Sequence, residues 1–357
     1  MQPINPHILS SDRFRSERND FDVVIDVRSP SEFALDHIPG SINCPVLNDE
    51  ERAKIGTLYK QVSPFAAKKL GAALVSRNIA NHLENLFIDN PREWRPLIYC
   101  WRGGERSGAF THILNRIGWK ALQLQSGYQG FRRVVINDLE QAAKDFSFQV
   151  IAGMTGSGKT RILQEIGLLD QQILDLEGLA IHRGSVLGNE PNIEQPSQKG
   201  FETNLWNALN SLDPSRIVFV ESESKKVGGV HIPDPLMERI RDGQCIEIRS
   251  STHTRVSWLL REYHHFLSNP ESFKEKLSLL TSRYGKEHIT KWHEAIDAGD
   301  FESLVEELLV MHYDPSYQSS IIRNFPSYRE DHFVQLENDS DEAFAKTAKD
   351  LITKLGL

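Results

Sequence analysis

The feature that most constrains this chain is a glycine-rich loop set between an apolar strand pattern and a helical pattern. Residues 148–152 form a short run that is apolar except for Gln149, as expected of a buried strand. The loop that follows them consists of Gly153, Met154, Thr155, Gly156, Ser157, Gly158, Lys159 and Thr160. This spacing between strand and helix is that of a P-loop, whose backbone N–H groups and helix N-terminus cradle phosphates. Lys159 would reach the terminal phosphate groups, and Thr160 is a candidate Mg²⁺ ligand.

Acidic residues at the ends of neighbouring strands extend this candidate site. Further strands are predicted at 172–174, 217–220, 245–248 and 332–336. Glu221 directly follows one of them and is a second candidate for holding Mg²⁺, while Asp175 and Glu177 follow another. Ligands of open α/β sheets bind at the carboxyl ends of the strands, so these side chains are expected to face one crevice. Arg183 is a candidate phosphate contact.

A second reactive arrangement surrounds Cys100. Strands are predicted at 22–27, 96–100 and 120–124, with a helix at 107–117. The loop after the middle strand reads Cys100, Trp101, Arg102, Gly103, Gly104, Glu105, Arg106 and Ser107. Backbone N–H groups of such a turn, the helix N-terminus and two arginines all stabilise a thiolate and a bound anion. Cys100 is therefore the predicted nucleophile, with Arg102 and Arg106 beside it, whereas Cys44 and Cys245 are expected to be structural.

The chemistry of this cysteine loop is open from its residues alone. The spacing Cys100-x5-Arg106 is also that of cysteine-dependent phosphatases, which attack phosphorus from the same geometry. Tyr99 stands where many such phosphatases have histidine, and no general acid for a leaving group is identified.

Charge and composition limit the partners. The net charge is −8, which does not favour a general nucleic-acid binder, but residues 98–133 carry six basic residues against one acidic residue. A local basic patch suits a polyanion bound at one site. Three cysteines, no apolar run long enough for a bilayer and no signal-peptide pattern predict a cytoplasmic protein without a membrane partner. The lack of heptads predicts a monomer.

The N-terminal half resembles rhodanese-like domains. The resemblance rests on Asp26-Val27-Arg28, Glu32-Phe33 and the run from His37 to Asn43, together with the position of the cysteine loop. In that family the cysteine carries a persulfide or related chalcogen adduct, and the resemblance makes Asp26, Arg28 and His37 scaffold residues. Asp36 stands where the family usually has glycine.

The whole chain, from about residue 10 to about 350, resembles the tRNA 2-selenouridine synthase family. The cysteine loop, the P-loop and the stretch from Asp175 to Ser185 carry this resemblance, supported by residues 195–202. It implies an α/β chain with a rhodanese-like domain at 8–140 and a P-loop NTPase-like parallel-sheet domain at 147–357. A strand-free helical insert at about 252–312 would form a lid or a substrate-binding element. Ser126 departs from the family pattern, where a second glycine is expected.

The resemblance also implies an activity. A wobble 2-thiouridine of tRNA would be S-geranylated from geranyl diphosphate, and selenium from selenophosphate would then replace the geranylated sulfur. The P-loop, Glu221 and Arg183 would hold the diphosphate. No tightly bound cofactor is expected, and dependence on Mg²⁺ is left open. The tRNA-contact candidates are Trp101, Arg132 and Arg133. Two alternatives are a nucleotide-dependent sulfurtransferase or kinase fed by the rhodanese-like domain, and a Cys-x5-Arg phosphatase.

Overall fold

The computed structural model describes residues 7–185, 187–191 and 193–357, which form two units. The first unit ends at Asp138 and also includes Lys199–Asn207, whereas the second consists of Leu139–Gln198 and Ala208–Leu357. Each unit is an α/β fold with its own five-stranded parallel sheet, as predicted.

The first unit is built on a sheet with strand order β1-β5-β4-β2-β3. Its elements in chain order are β1 (Ile8–Leu9), α1 (Ser11–Glu17), β2 (Val23–Asp26), α2 (Pro30–Leu35), β3 (Ile42–Asn43), α3 (Asp49–Gln61), α4 (Pro64–His82), β4 (Pro96–Tyr99), α5 (Glu105–Ile117), β5 (Leu122–Leu124) and α6 (Gly127–Asp145). All four residues of β4 are buried. The carboxyl end of this central strand is therefore held rigidly, and Cys100 follows it directly.

The second unit has strand order β12-β11-β6-β8-β7. Its first elements are β6 (Ser147–Ala152), α7 (Lys159–Leu168), β7 (Gln172–Leu174), α8 (Leu176–Ala180), α9 (Gln198–Asn210, mostly in the first unit), β8 (Ile217–Glu221), β9 (Lys226–Val227), β10 (Val230–His231), α10 (Asp234–Arg241) and β11 (Gln244–Arg249). The P-loop strand β6 is central in the sheet and pairs in parallel with β8 and β11. This arrangement brings the end of β8, with Glu221, beside the P-loop.

A helical region lies between β11 and β12 and ends later in the chain than predicted. Its helices are α11 (Thr252–Glu262), α12 (His264–Ser268), α13 (Pro270–Ser278), α14 (Thr281–Tyr284), α15 (Lys286–Ala298), α16 (Phe301–Leu308) and α17 (Asp314–Asn324), followed by β12 (Phe333–Gln335) and α18 (Asp341–Leu355). The insert thus continues to Asn324 instead of ending near residue 312. It has a core of its own, centred on the buried Trp292.

The predicted strands are all present, with ends within two residues of the predicted ones. The strands that sequence patterns missed (β1, β3, β9 and β10) have two residues each, which is too short for any alternation to show. Cys44 and Cys245 are buried and unpaired, in keeping with a structural role.

Candidate active sites

The cysteine loop is shaped by backbone contacts that exclude side chains. Gly127 has φ of +51°, and a Cβ atom there would lie 2.2 Å from the carbonyl oxygen of Cys100. Tyr128 N donates to that same carbonyl at 2.8 Å. Ser126 has φ of +60°, a left-handed conformation that glycine adopts at lower cost, which explains why glycine is the expected residue there. The loop is thus locked against the start of α6.

The Cys100 thiol lies in an environment that favours its ionised form. Burial raises the pKa of Cys100, but hydrogen bonds from Ser107 and the positive charge of Arg106 lower it by more, so that the net pKa lies below its ordinary value. Ser107 Oγ donates to Cys100 Sγ at 3.1 Å. Gln123 Nε2 donates to Ser107 Oγ at 2.9 Å, which leaves the Ser107 hydrogen for the sulfur. The loop therefore favours the thiolate form of Cys100, and its role as a nucleophile stays a prediction.

The two arginines of the loop differ in their surroundings. Arg106 Nη1 donates to Glu32 Oε2 at 3.0 Å, and its side chain is partly buried. Arg102 is exposed at the rim of the loop. An anion in the loop would thus share Arg106 with Glu32. Burial raises the pKa of Glu32, but the positive charges of Arg106 and Arg52 lower it by more, so that its net pKa lies below the ordinary value.

Asp26 and Arg28 form the buried scaffold that the rhodanese resemblance implied. Arg28 Nη2 donates to Asp26 Oδ2 at 2.6 Å, with both side chains fully buried. The Arg28 guanidinium lies 4.0 Å from the centre of the Tyr128 ring. Tyr99, at the position of the phosphatase histidine, accepts a hydrogen bond from Ile38 N at 3.1 Å. Tyr99 thus supports the loop that follows His37, where Ser41 also lies 3.1 Å from its hydroxyl.

The unusual Asp36 anchors a buried polar network. It accepts hydrogen bonds from Tyr128 Oη at 2.7 Å and from Thr203 Oγ1 at 3.1 Å. Arg132 Nη1 lies 3.6 Å from the same carboxylate, and the guanidinium also pairs with Glu202. A glycine at position 36 would supply none of these contacts.

This network changes the expectation for the RNA-contact candidates. Arg132 is only 8% exposed and its guanidinium is engaged within the unit, so it supports the fold and is not a surface contact. Arg133 is exposed and stays a prediction. Trp101 stacks on Tyr128 with ring centres 5.3 Å apart, and Lys199 Nζ lies 5.8 Å from the Trp101 ring centre. The Trp101 ring is partly exposed, so a base-stacking role also stays a prediction.

In the second unit, the P-loop adopts the conformation that its sequence requires. Gly158 precedes α7 with φ of +73°, and a Cβ atom there would lie 2.4 Å from the Phe344 ring. Lys159 Nζ donates to the carbonyl oxygen of Gly153 at 2.7 Å. Within the described residues, the buried Ser157 hydroxyl has no hydrogen-bond partner. The Lys159 ammonium lines the crevice that a phosphate would occupy, whereas Ser157 is buried beneath the loop's surface.

Three carboxylates converge beside Thr160. Oxygens of Glu177, Glu221 and Glu223 lie within 4.8 Å of one another. Thr160 Oγ1 lies 3.1 Å from oxygens of both Glu177 and Glu221. Glu221 is fully buried, and its Oε1 has no hydrogen-bond partner in the described part of the chain. Burial raises the pKa of all three, and repulsion among them adds to this effect for Glu177 and Glu221.

The tertiary structure adds residues that the sequence did not reveal as part of the site. Tyr317 of α17 accepts a hydrogen bond from Gly153 N at 2.6 Å, and Lys159 Nζ lies 5.6 Å from the centre of its ring. Arg255 of α11 donates to the Thr155 carbonyl at 2.8 Å and pairs with Asp314 at 3.0 Å. The helical insert therefore contributes directly to the P-loop site. Glu223, whose carboxylate lies beside those of Glu177 and Glu221, is a third such residue.

Arg183 lies in the same crevice, as expected, but is held by carboxylates. Its Nε donates to Glu190 at 2.6 Å and its Nη1 to Glu262 at 3.1 Å, while the guanidinium lies over Tyr263. The crevice has a volume of about 690 Å³ and is lined by Lys159, the three glutamates and Arg183, among others. Asp175 caps α8 through Gly178 N at 2.7 Å and lines the crevice as well. A phosphorylated ligand of considerable size fits there.

The folds and sites define a two-domain class of protein: a rhodanese-like domain with a reactive cysteine, followed by a P-loop domain. Family models match both parts, the rhodanese-like domain at residues 10–133 and the tRNA 2-selenouridine synthase AAA domain at residues 146–325. The chain belongs to the tRNA 2-selenouridine synthase family.

Relatives of that name support the assignment. One from Nitrosomonas europaea is 37% identical over 244 residues, which cover 67% of this chain and 63% of the relative. One from Shewanella pealeana is 31% identical over 330 residues, which cover 84% of this chain and 88% of the relative. A solved rhodanese-related protein from Thermoplasma volcanium is 17% identical, with a TM-score of 0.24 over 36% of this chain and 92% of that chain. That last likeness is too low to carry an argument.

Two further facts bear on the comparison. The matched region spans slightly less than two thirds of the Nitrosomonas relative's own length. Among the described residues, no helix is both long enough and apolar enough to cross a membrane.

Proposed function

We propose that this protein converts 2-thiouridine at the wobble position of tRNA into 2-selenouridine, by S-geranylation from geranyl diphosphate and then selenium transfer from selenophosphate. The observation that supports this most is the Cys100 thiol, which accepts a hydrogen bond from Ser107 and whose pKa is lowered by that bond and by the charge of Arg106. The same chain carries a complete P-loop in its second unit. Two anion cradles match a reaction that consumes two different phosphorylated co-substrates.

The P-loop is the proposed site of the first step. The thiocarbonyl sulfur attacks carbon 1 of geranyl diphosphate, a carbon–sulfur bond forms, and the carbon–oxygen bond breaks with its electron pair leaving on diphosphate. Backbone N–H groups of the loop and the Lys159 ammonium stabilise the charge that develops on this leaving group. Lys159 would exchange its present bond to Gly153 O for a phosphate oxygen. Alkylation converts the thiocarbonyl sulfur, which is a poor leaving group, into a geranyl thioether that is a good one.

The carboxylate cluster fits a divalent cation in this site. Glu177, Glu221 and Glu223 with the Thr160 hydroxyl are hard oxygen donors, the kind that Mg²⁺ prefers. The buried Glu221 Oε1, without a partner among the described residues, supports this fit. A bound Mg²⁺ ion would neutralise part of the charge of the diphosphate.

Cys100 is the proposed nucleophile of the second step. Its thiolate attacks the phosphorus of selenophosphate, a sulfur–phosphorus bond forms, and the phosphorus–selenium bond breaks with its electron pair leaving on selenium. Hydroselenide is a weak base and leaves without a general acid. It then attacks carbon 2 of the S-geranylated base and expels geranyl thiolate, while water hydrolyses the phosphocysteine to phosphate. Arg106 would hold the phosphoryl oxygens.

The test is nucleoside analysis by mass spectrometry. Purified protein is incubated with tRNA containing 2-thiouridine, geranyl diphosphate and selenophosphate, and each small molecule is omitted in turn. We expect S-geranyl-2-thiouridine when selenophosphate is omitted and 2-selenouridine when both are present. Cys100→Ser should stop the reaction at the geranylated base, and Cys44→Ser, at a buried cysteine outside the loop, should complete it.

The opposite results are equally informative. Full selenation by Cys100→Ser would refute its role as nucleophile. An unchanged nucleoside profile from folded protein, combined with ATP turnover that requires Lys159, would support a nucleotide-dependent sulfurtransferase instead.

A further inference from the structure

A small apolar pocket adjoins the phosphate crevice within the second unit. Its volume is about 50 Å³. Thr155 of the P-loop lines both cavities, as do Ser185, Leu259, Tyr263 and Tyr313. Beyond this shared rim, the lining consists only of aliphatic and aromatic side chains. A ligand that reached into the pocket would therefore keep its other end at the P-loop.

The two tyrosines at the rim do not make the pocket polar. Burial raises the pKa of Tyr263 to about 12 and that of Tyr313 further, so both are neutral. Beyond the rim, the described side chains that line the pocket carry no hydrogen-bonding group. A nucleobase placed here would leave its nitrogen and oxygen atoms without hydrogen-bond partners, which is costly. The pocket thus selects for hydrocarbon.

We propose that this pocket holds the hydrocarbon tail of a prenyl diphosphate whose head lies in the P-loop, and that the side chains at its inner end limit the length of that tail. This inference rests on the proposed function, because it assigns the substrate of the same site. The two cavities are adjacent, and Thr155, Leu259 and Tyr263 line both of them. An anionic head and an apolar tail are the two properties that the combined cavity requires.

The size of the pocket points to a short tail. At roughly 10–15 Å³ for each water-sized group, this volume accommodates about four such groups, or about one isoprene unit. A ten-carbon tail would place its terminal unit in the pocket and its first unit along the rim. Phe273 and Leu308 form part of the inner lining and also belong to the buried core around Trp292. A fifteen-carbon tail would have to displace these core residues.

Calorimetric titration with four probes tests the assignment. The probes are inorganic, dimethylallyl, geranyl and farnesyl diphosphate. We expect geranyl diphosphate to bind at least about tenfold more tightly than inorganic diphosphate, because burying several methylene groups is strongly favourable. Farnesyl diphosphate should bind no more tightly than geranyl diphosphate. Leu308→Ala should reverse that order by extending the pocket.

A filling substitution supplies the decisive comparison. Val305 lines the pocket and is only half-buried, so Val305→Phe can be accommodated in the fold. It should weaken geranyl diphosphate binding at least about tenfold and leave inorganic diphosphate binding unchanged. The matched control is Val310→Phe, at a 56% exposed position outside the pocket, which should bind both probes normally. If Val305→Phe also loses inorganic diphosphate, Leu260→Phe, on another wall, takes its place.

The outcomes separate the two proposals. Wild-type affinity of the filled variants for geranyl diphosphate would overturn the pocket assignment while leaving the proposed reaction intact. Equal affinities of the wild-type protein for geranyl and inorganic diphosphate would overturn a tail site altogether. Binding of ATP without binding of any prenyl diphosphate would refute the proposed first step itself.

Discussion

Replacing Ser107 by alanine should make Cys100 much less reactive without touching the cysteine itself. In the structure, burial opposes ionisation of the thiol, and the hydrogen bond from Ser107 is the largest influence that favours it. A hydrogen bond to a charged group contributes about 1.5–3 kcal/mol. Its loss should therefore raise the pKa of Cys100. At a pH below the Cys100 pKa of both the wild-type protein and the variant, the thiolate fraction should fall about 10- to 100-fold.

The assay is the rate of iodoacetamide alkylation at Cys100 as a function of pH, read by peptide mass spectrometry. Because only the thiolate reacts, a higher Cys100 pKa should make Ser107→Ala react more slowly at low pH. Its rate should converge on the wild-type rate once the pH exceeds the Cys100 pKa of both proteins. Cys44 serves as an internal reference, because burial raises its pKa to about 12. Ser107→Thr keeps a hydroxyl and should restore the rate, whereas Ser41→Ala, next to Tyr99 Oη, should not alter it.

An unchanged alkylation profile for Ser107→Ala would show that the thiolate is not stabilised by this hydroxyl. The anion-cradle explanation of Cys100 reactivity would then have to rest on Arg106 and the backbone alone. Slower alkylation at every pH, with no change in the midpoint, would indicate altered access and would refute the electrostatic reasoning.

Three further predictions concern the other contacts. Lys159→Ala should weaken inorganic diphosphate binding about 10- to 100-fold by calorimetry, since a charge-assisted bond is lost; unchanged affinity would contradict the cradle. Asp36→Ala should lower the free energy of unfolding by about 2–4 kcal/mol in urea titrations, because Tyr128 and Arg132 lose a buried acceptor. Gly127→Ala should cost about 2 kcal/mol or more, since its Cβ would overlap Cys100 O; wild-type stability would refute that geometry.

Features encoded by contiguous residues could be predicted from the sequence. The central strands are buried on both faces, so β4 is an uninterrupted apolar run and β6 is apolar except for Ser147 and Gln149. The P-loop and the cysteine loop act through their own backbone and through the helix that each begins, so their residues are adjacent in the chain. Even Ser126, at φ of +60°, was marked by the absence of an expected glycine. In these cases the conformation depends on residues that are neighbours in the chain, so a short stretch of sequence is enough to predict it.

Features that join distant residues required the tertiary structure. Tyr317 lies 164 positions from Gly153, and no pattern in the sequence connects them. Arg132 looked like a surface cation because its partners Glu202 and Thr203 lie about 70 positions away, and only folding buries it among them. The sequence by itself therefore determined the two glycine-rich loops and the positions of Cys100 and Lys159 in them. Packing of remote segments decided which charges are buried, which carboxylates converge and where an apolar pocket opens, because burial depends on neighbours that the sequence does not name.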